Sequence, residues 1–456
     1  MNQLGWMRAP EESLAQWEEY VALTAEVRAE GFTRTLVCGM GGSSLVADVL
    51  AETFRATELH VLDSTNPAAV RAAGGAQDLA RTLFVISSKS GNTVETLAFC
   101  NYFAARARPA QFIAITETDS PLAQIAQARG FRAVIPHPPG VGGRYSALTA
   151  IGMVPAALAG IDGRTLLERT RRVDVAAAKQ LGAEIADRAK TGRDKLCVNP
   201  SPSIAGLAYW IEQLIAESSG KDGRGVIPVV QDPTGGRLPD SQTVGPDLFS
   251  ADSLDLGAEF LRWEYATQAL CDRLGVNAFD QPDVEEAKKL ARAELTGGAE
   301  LTGGEVGAGV GKVGAQHAAP LHTLTLAQLR AAYRPRDYVA ILAYVPPTPP
   351  VFRTLQQVRA AWGHALDCAT TLGIGPRYLH STGQLHKGGP PNGLFLVVTT
   401  DTPNDLEIPE MGWTFGELHR AQARGDVRAL LARGRRVAHV HLKSPAELSM
   451  LSPPAA

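Results

Sequence analysis

The fold is decided by the stretch LFVISSKSGNTVET, residues 83–96. Its first four residues form a continuous apolar run, which is typical of a strand buried on both faces of a parallel sheet. A polar segment follows and leads into a helical pattern. This stretch therefore predicts a strand, a loop at the carboxyl end of that strand, and the start of a helix.

Short apolar runs alternate with helical patterns along the chain, which predicts an α/β fold with two doubly wound, flavodoxin-like parallel-sheet domains over residues 1–165 and 190–456. The predicted strands are residues 35–38, 59–62, 83–86, 112–115, 133–135, 196–198, 338–345, 394–399 and 437–442. The predicted helices include residues 11–30, 203–217, 353–371 and 415–433. Residues 296–316 are rich in glycine and predict a flexible insertion or surface loop.

The composition is typical of a soluble globular protein. The chain has 456 residues, of which 45% are hydrophobic and 20% charged. The net charge of −3 argues against a protein that binds the nucleic-acid backbone. No apolar run approaches about 18 uninterrupted residues, so we expect no transmembrane helix and no membrane partner. Charged residues near the N-terminus argue against a signal peptide.

Five cysteines lie far apart in the sequence and form no CxxC pair, which gives no support to a zinc ribbon or a thioredoxin-type site. Their apolar surroundings fit a reducing compartment. We therefore expect a cytoplasmic protein without a metal site.

The polar segment after the third predicted strand is a candidate phosphate-binding loop. Hydroxyl and amide donors, a lysine and the free N–H groups of a helix start suit the oxygens of a phosphate monoester. An ordinary polar loop with a helix cap at Thr93 is the competing interpretation. The candidate phosphate ligands are Ser88, Lys89, Ser90, Asn92 and Thr93.

A second glycine-rich turn follows the first predicted strand. Gly41, Gly42 and Ser43 allow a tight turn before a helix, where N–H groups favour an anion. The turn matches neither GxGxxG nor the GK[ST] of a nucleotide-binding loop, so ATP binding is not indicated. From this turn alone a purely structural role is favoured, because glycine turns before helices are common.

Two further segments carry residues suited to proton transfer at a carbonyl. Gly143 and Arg144 would place a guanidinium close to a ligand, where it could stabilise a developing oxyanion, although a surface arginine beside a capped helix is an equal alternative. Glu217 would be a suitable general base. Helical periodicity alone does not distinguish it from Glu212.

These motifs, in this order, resemble the phosphoglucose isomerases of the sugar-isomerase (SIS) domain superfamily. The segments that carry the resemblance are residues 88–96, 143–146, 217–221, 275–288 and 379–386. The resemblance implies that Lys288 reaches the sugar near its ring oxygen and that His380 acts in ring opening. It also implies a homodimer, a sugar-phosphate substrate, and a reaction without a cofactor.

One feature departs from the common pattern, because Lys288 precedes His380 instead of following it. The arrangement is closer to the isomerase half of bifunctional transaldolase–phosphoglucose isomerases, although the chain has no room for a transaldolase barrel of about 250 residues. Other histidines remain candidates for the ring-opening role: His386, His317 and His322.

We expect an aldose–ketose isomerase that interconverts glucose 6-phosphate and fructose 6-phosphate through a cis-enediol. A non-catalytic SIS-domain sensor of sugar phosphates would need the phosphate loop but not the base, lysine and histidine. An isomerase that also accepts mannose 6-phosphate would use the same groups, because the two aldoses differ only at C2.

Overall fold

The computed structural model describes residues 3–75, 79–296 and 322–454. Most of the predicted glycine-rich insertion at 296–316, and His317 beside it, lie outside these residues. Among the described residues, no helix combines the length and apolar character needed to cross a lipid bilayer.

The first part of the chain forms one five-stranded parallel sheet in the order β2-β1-β3-β4-β5. This is the flavodoxin-like strand order. Every predicted strand of this part is confirmed, because the apolar runs are buried between helices on both faces. The strands are β1 (Arg34–Cys38), β2 (Leu59–Leu62), β3 (Thr82–Ser87), β4 (Phe112–Thr116) and β5 (Ala133–Pro136).

Eight helices accompany this sheet within the described residues. Ser120 begins one of them by accepting a hydrogen bond from the Ala123 N–H at 3.1 Å, as an N-cap residue does. The helices are α1 (Ala9–Ala29), α2 (Gly42–Phe54), α3 (Pro67–Ala73), α4 (Val94–Ala104), α5 (Pro121–Ala128), α6 (Ala150–Leu158), α7 (Gly163–Arg169) and α8 (Val175–Lys190).

The strands after residue 190 are also parallel, which confirms the predicted α/β class, but they are divided between two sheets. A three-stranded sheet has the order β7-β6-β8 and a four-stranded sheet has the order β10-β9-β11-β12. The strands are β6 (Lys195–Val198), β7 (Ile227–Val230), β8 (Ser241–Val244), β9 (Tyr338–Tyr344), β10 (Thr370–Ile374), β11 (Gly393–Thr400) and β12 (Arg436–Leu442).

One apolar cluster joins these two sheets. It contains Ile227 and Val229 from the smaller sheet, Leu342 and Val397 from the larger one, and Val427 from a covering helix. The helices of this part are α9 (Leu207–Ser219), α10 (Leu256–Leu274), α11 (Pro282–Thr296), α12 (Leu326–Ala331), α13 (Pro349–Leu366), α14 (Gly383–Gly388) and α15 (Phe415–Ala432).

The helix predicted over residues 353–371 is wrong at its C-terminal end. Helix α13 stops at Leu366 because Asp367 adopts a left-handed conformation with φ of 49°. The β-branched Thr370 and Thr371 then begin β10. The predicted domain bounds at 1–165 and 190–456 stay a prediction, since one buried cluster contains both Trp6 and Trp263.

Candidate active site

The two predicted glycine and hydroxyl loops lie side by side at the carboxyl edge of the first sheet. Strands β1 and β3 are neighbours, yet the chain continues from β1 towards β2 and from β3 towards β4. The strand order therefore reverses between β1 and β3, and ligands of open α/β sheets bind in the crevice at such a switch point. A Cβ placed on Gly39 would lie 2.9 Å from the Ser87 carbonyl oxygen, which shows how closely the loops approach.

The loop after β3 orders its own hydroxyl groups. The Ser88 and Thr93 side-chain oxygens are 3.0 Å apart, and the Gly91 N–H donates to Ser88 Oγ at 3.2 Å. Gly91 has φ of +65°, and a Cβ there would meet Ser120 Oγ at 2.5 Å, so glycine is required. Thr93 is the N-cap residue of α4 but makes no side-chain capping bond, which leaves the N–H groups of the first turn without that partner.

The other three loop residues face outwards. Lys89 Nζ is 3.6 Å from Glu117 Oε1, and both side chains are about a third exposed. The Ser90 hydroxyl donates to Asn92 Oδ1 at 2.6 Å in an exposed position. Side-chain contacts therefore separate Ser88 and Thr93 from Lys89, Ser90 and Asn92 within the predicted phosphate loop.

The turn after β1 packs against two distant segments. Gly41 has φ of +55°, and a Cβ there would lie 2.5 Å from the His380 carbonyl oxygen. A Cβ on Gly42 would lie only 2.0 Å from the Gly143 carbonyl oxygen. The following residue, Ser43, is buried in the first turn of α2. Contact of these glycines with a ligand stays a prediction; the structure shows that they allow three backbone segments to meet.

This packing predicts that one alanine substitution lowers the stability of the protein and that a neighbouring one does not. Gly42→Ala is expected to destabilise the protein by about 1–3 kcal/mol or more, because the new Cβ overlaps rigid backbone beside Arg144. Gly143→Ala is the matched control, since a Cβ there has no atom within 4 Å. Urea unfolding of both variants checks the prediction, and equal free energies of unfolding would contradict it.

Arg144 is almost fully buried, and each of its three nitrogens donates a hydrogen bond. Its Nε donates to Ser218 Oγ at 2.8 Å, and Nη2 donates to the carbonyl oxygens of Ala278 at 2.6 Å and Asp280 at 3.1 Å. The remaining nitrogen, Nη1, donates to Gln281 Oε1 at 3.0 Å and lies 3.2 Å from Glu217 Oε1. The guanidinium thus fixes the predicted motif after α10 and also contacts the candidate base.

Glu217 lies near the C-terminal end of α9 with a side chain that is 13% exposed. Besides Arg144, it contacts Gln213, whose Nε2 donates to Glu217 Oε2 at 3.1 Å and to the His380 carbonyl oxygen at 2.7 Å. One amide therefore connects the candidate base with the candidate ring-opening residue. No corresponding contact to Arg144 is found for Glu212 on the same helix.

His380 and Glu95 form a second side-chain pair. His380 Nε2 is 2.8 Å from Glu95 Oε1, and the nitrogen must donate because an ionised carboxylate can only accept. Burial raises the pKa of Glu95, but the charge and the hydrogen bond of His380, together with the charge of Lys288, outweigh burial and lower it overall. Gln422 Nε2 donates to the same carboxylate oxygen at 2.6 Å.

Lys288 affects the Glu95–His380 pair through its charge and without direct contact. Lys288 is 44% exposed on α11, and its Nζ contacts Glu285 Oε1 at 2.8 Å. Its charge nevertheless contributes to lowering the pKa of Glu95. Lys288 therefore lies on the His380 side of the site without a direct contact to the other predicted residues.

The other candidate histidines differ from His380 in their surroundings. His386 is buried, with its ring near those of Tyr338, Tyr378 and Phe395, and burial lowers its pKa well below the usual value. His322 is exposed. His380 is the described histidine that faces both a carboxylate and the turn after β1.

The contacts close a ring around the switch point. Glu95, which lies two residues beyond Thr93, contacts His380, and Gln213 joins His380 to Glu217. Glu217 in turn contacts Arg144. The glycine turn after β1 packs against both His380 and the segment at Arg144, and so closes the ring. Sequence reasoning assigned no role to Gln213, although its spacing of four residues from Glu217 places both on one helix face. No pattern in the sequence indicated Gln422, because its approach to Glu95 depends on how α15 packs.

The fold and the site together define an α/β protein with parallel sheets and a polar site at a topological switch point. Its relatives are proteins named glucose-6-phosphate isomerase. The relative from Trichormus variabilis is 34% identical over 218 residues, which cover 43% of this chain and 41% of that protein. The relative from Synechococcus sp. strain JA-3-3Ab is 29% identical over 398 residues, which cover 64% of this chain and 74% of that protein.

These relatives confirm the similarity to the phosphoglucose isomerases predicted from the motifs. The chain spans about two fifths of the length of the first curated relatives it matches. A crystal structure of a glucose-6-phosphate isomerase from Chlamydia trachomatis aligns with a TM-score of 0.48 at 19% identity, over 63% of this chain and 74% of that one. No family model matches the chain.

Proposed function

We propose that this chain is an aldose–ketose isomerase that interconverts glucose 6-phosphate and fructose 6-phosphate. The observation that carries the proposal is the ring of contacts in which Gln213 joins the Arg144–Glu217 pair to the Glu95–His380 pair. A base, a guanidinium and an imidazole grouped in this way would surround a bound sugar. The named relatives support the same reaction.

The phosphate group would bind at the loop after β3. Ser88, Thr93 and N–H groups in the first turn of α4, which has no side-chain cap at Thr93, would donate to its oxygens. Lys89, Ser90 and Asn92 would contribute at the outer rim, and Gly41, Gly42, Ser43 and Gly143 would bring the backbone close to the sugar. A phosphate held by several donors fixes the sugar so that C1 and C2 face the other end of the crevice.

Ring opening would be the first chemical step. His380 donates a proton to the ring oxygen, the proton of the C1 hydroxyl passes to His380, and the C1–O5 bond breaks to give an aldehyde. The Glu95 carboxylate accepts a hydrogen bond from His380 Nε2 and so orients the imidazole. Lys288 would support this end of the site through its charge.

Isomerisation would follow by proton transfer between neighbouring carbons. Glu217 removes the proton from C2, and the electron pair shifts through the new C1–C2 double bond to the C1 oxygen, which gives the enediolate form of a cis-enediol. Transfer of the C2 hydroxyl proton to the C1 oxygen and return of the proton from Glu217 to C1 give the ketose. Arg144 would stabilise the oxyanion by exchanging its contact with Glu217 for a contact with the substrate oxygen.

The steps move only protons, so the balanced reaction needs no nucleotide or redox partner. We also propose that the protein acts as a cytoplasmic homodimer. The five cysteines are all free and buried, which fits a reducing compartment. The dimer follows from the resemblance to the phosphoglucose isomerases.

Incubation of the purified protein with fructose 6-phosphate tests the proposal. We expect glucose 6-phosphate to form, detected by proton NMR of the sugar C1 signals, which also reports any mannose 6-phosphate. Binding of fructose 6-phosphate in calorimetry without conversion would contradict the proposal and favour a sugar-phosphate sensor. Formation of both aldoses would extend the proposal to a dual-specificity isomerase.

A further inference from the structure

A buried carboxylate on α15 is paired on both of its oxygens. Asp426 Oδ1 lies 2.5 Å from Lys387 Nζ, with side-chain exposures of 0% and 1%. Asp426 Oδ2 accepts a hydrogen bond from the Tyr378 hydroxyl at 2.6 Å. None of these three residues belongs to the ring of contacts described above.

The two partners of Asp426 lie on either side of His380 in the chain. Tyr378 is in the same 3-10 turn as His380, the turn Arg377–His380, and Lys387 is in α14, which follows directly. A single carboxylate therefore ties the segments before and after the histidine to α15. One helical turn earlier, Gln422 holds the Glu95 carboxylate that His380 contacts.

Stability alone does not explain this arrangement. Removing two charges from water costs free energy that their attraction often fails to repay, and an apolar pair of similar size is frequently as stable. What an ion pair adds is geometry, because a carboxylate accepts in fixed directions and leaves its neighbours few alternative positions. The structural consequence of the Asp426 pairs is the placement of the turn that carries His380.

We propose that Asp426 is a positioning residue that holds His380 in the orientation needed to open the sugar ring. The inference rests on the proposed function. It assigns to Asp426 no contact with the substrate; the effect is transmitted through Tyr378 and Lys387. A loosened turn would misalign the imidazole with the ring oxygen while leaving the phosphate loop intact.

The test isolates ring opening from isomerisation. Ring opening followed by reclosure exchanges the α and β anomers of glucose 6-phosphate, and this exchange does not need a base at C2. In a Glu217→Gln background, magnetisation transfer between the two C1 protons therefore measures the His380 step alone. Calorimetric titration with glucose 6-phosphate gives the number of competent sites, so that the rate is expressed per site.

Tyr378→Phe is the variant of choice, because it removes the 2.6 Å hydrogen bond to Asp426, together with the longer 3.3 Å contact to the Tyr344 hydroxyl, and keeps the ring. Asp426→Asn would leave Lys387 buried without a counter-charge and could prevent folding. We expect Tyr378→Phe to lower anomer exchange per site by about 10–100-fold, the scale of a small misplacement of a catalytic group. The Kd for glucose 6-phosphate should stay at the parent value.

Tyr338→Phe serves as the matched control. Tyr338 is equally buried in the same apolar cluster on β9, and its substitution also removes a phenolic hydroxyl, but no contact joins it to Asp426. We expect this variant to exchange anomers at the parent rate. An equal loss in both variants would indicate a general effect of core changes and would overturn the inference.

The remaining outcomes separate the inference from the proposed function. If Tyr378→Phe exchanges anomers at the parent rate per site, the positioning role of Asp426 is overturned. The proposed function stands in that case, provided that the wild type isomerises. If the wild type isomerises but the Glu217→Gln parent shows no exchange of anomers, ring opening by His380 is contradicted, and the inference fails with it. A wild type that interconverts no sugar phosphates would overturn the proposed function itself.

Discussion

Glu217→Gln is expected to lower kcat for fructose 6-phosphate by about 10²–10⁴-fold, the range that a positioned general base contributes. The amide has nearly the shape of the carboxylate but cannot accept the proton from C2. Binding of the sugar phosphate should persist, because the proposed phosphate ligands Ser88 and Thr93 contact each other, whereas Glu217 contacts Arg144 and Gln213. Steady-state kinetics and calorimetric titration measure the two quantities separately.

The structure suggests a small additional cost for this variant. Glu217 accepts from Gln213 on one oxygen and contacts Arg144 through the other. A glutamine offers only one oxygen, so one of these two donors loses its acceptor. This cost affects stability by about 1–3 kcal/mol, and urea unfolding distinguishes it from the loss of the base.

Glu212→Gln is the matched control on the same helix. Burial raises the pKa of Glu212 to about 7, so the carboxyl group is already largely uncharged below that pH. Replacement by the neutral amide should therefore preserve most of the wild-type turnover near neutral pH. Wild-type turnover in Glu217→Gln, or an equal loss in Glu212→Gln, would remove Glu217 from the proposed mechanism.

The contrast between these two glutamates shows how far the sequence predicts the site. Periodicity places both residues outside the apolar stripe of α9, and it carries no information about the segment that packs against them. Arg144 reaches Glu217 because the turn before it packs onto Gly42. That contact depends on tertiary structure, so the resemblance to a family could indicate it but periodicity could not.

The sequence likewise predicted only part of the fold. The apolar runs of the first sheet identified its five strands, because each run is continuous and is followed by a loop or helix signal. The short strands β7, β8 and β10 were missed, and with them the division of the later strands into two sheets. The pairing partners of a four-residue strand such as β7 are set by packing between distant segments, which local patterns do not encode.

The polar contacts behind His380 were the least predictable part of the site. Gln422 and Asp426 lie on an amphipathic helix whose capping box at Thr414 and Glu417 was readable from the sequence. Their side chains point into a buried polar layer, where an apolar residue would have satisfied the helical pattern equally well. Only the arrangement of α15 against α4 and the His380 turn gives them a role.

Arg144→Lys is expected to lower kcat by about 10²–10³-fold, the range reported for loss of one donor to a developing oxyanion. The substitution keeps the positive charge, so it tests the geometry of the guanidinium and not its charge. Lysine offers three donors from one nitrogen, whereas all three nitrogens of Arg144 donate in the fixed directions of a planar guanidinium. A lysine at this position cannot reach both Ser218 and the carbonyl oxygens beyond α10.

The same variant should also lose stability, because the buried carbonyl oxygen of Ala278 would keep its burial without a donor. Such a group costs about 1–3 kcal/mol. Arg164→Lys is the control, since Arg164 is 46% exposed and pairs with Glu18 at the surface, where ion pairs contribute little. Wild-type kcat in Arg144→Lys would show that charge alone suffices and would contradict the role of the guanidinium fork. A fall in kcat that exceeds the change in the folded fraction, with KM near the wild-type value, would locate the lost interaction in the transition state.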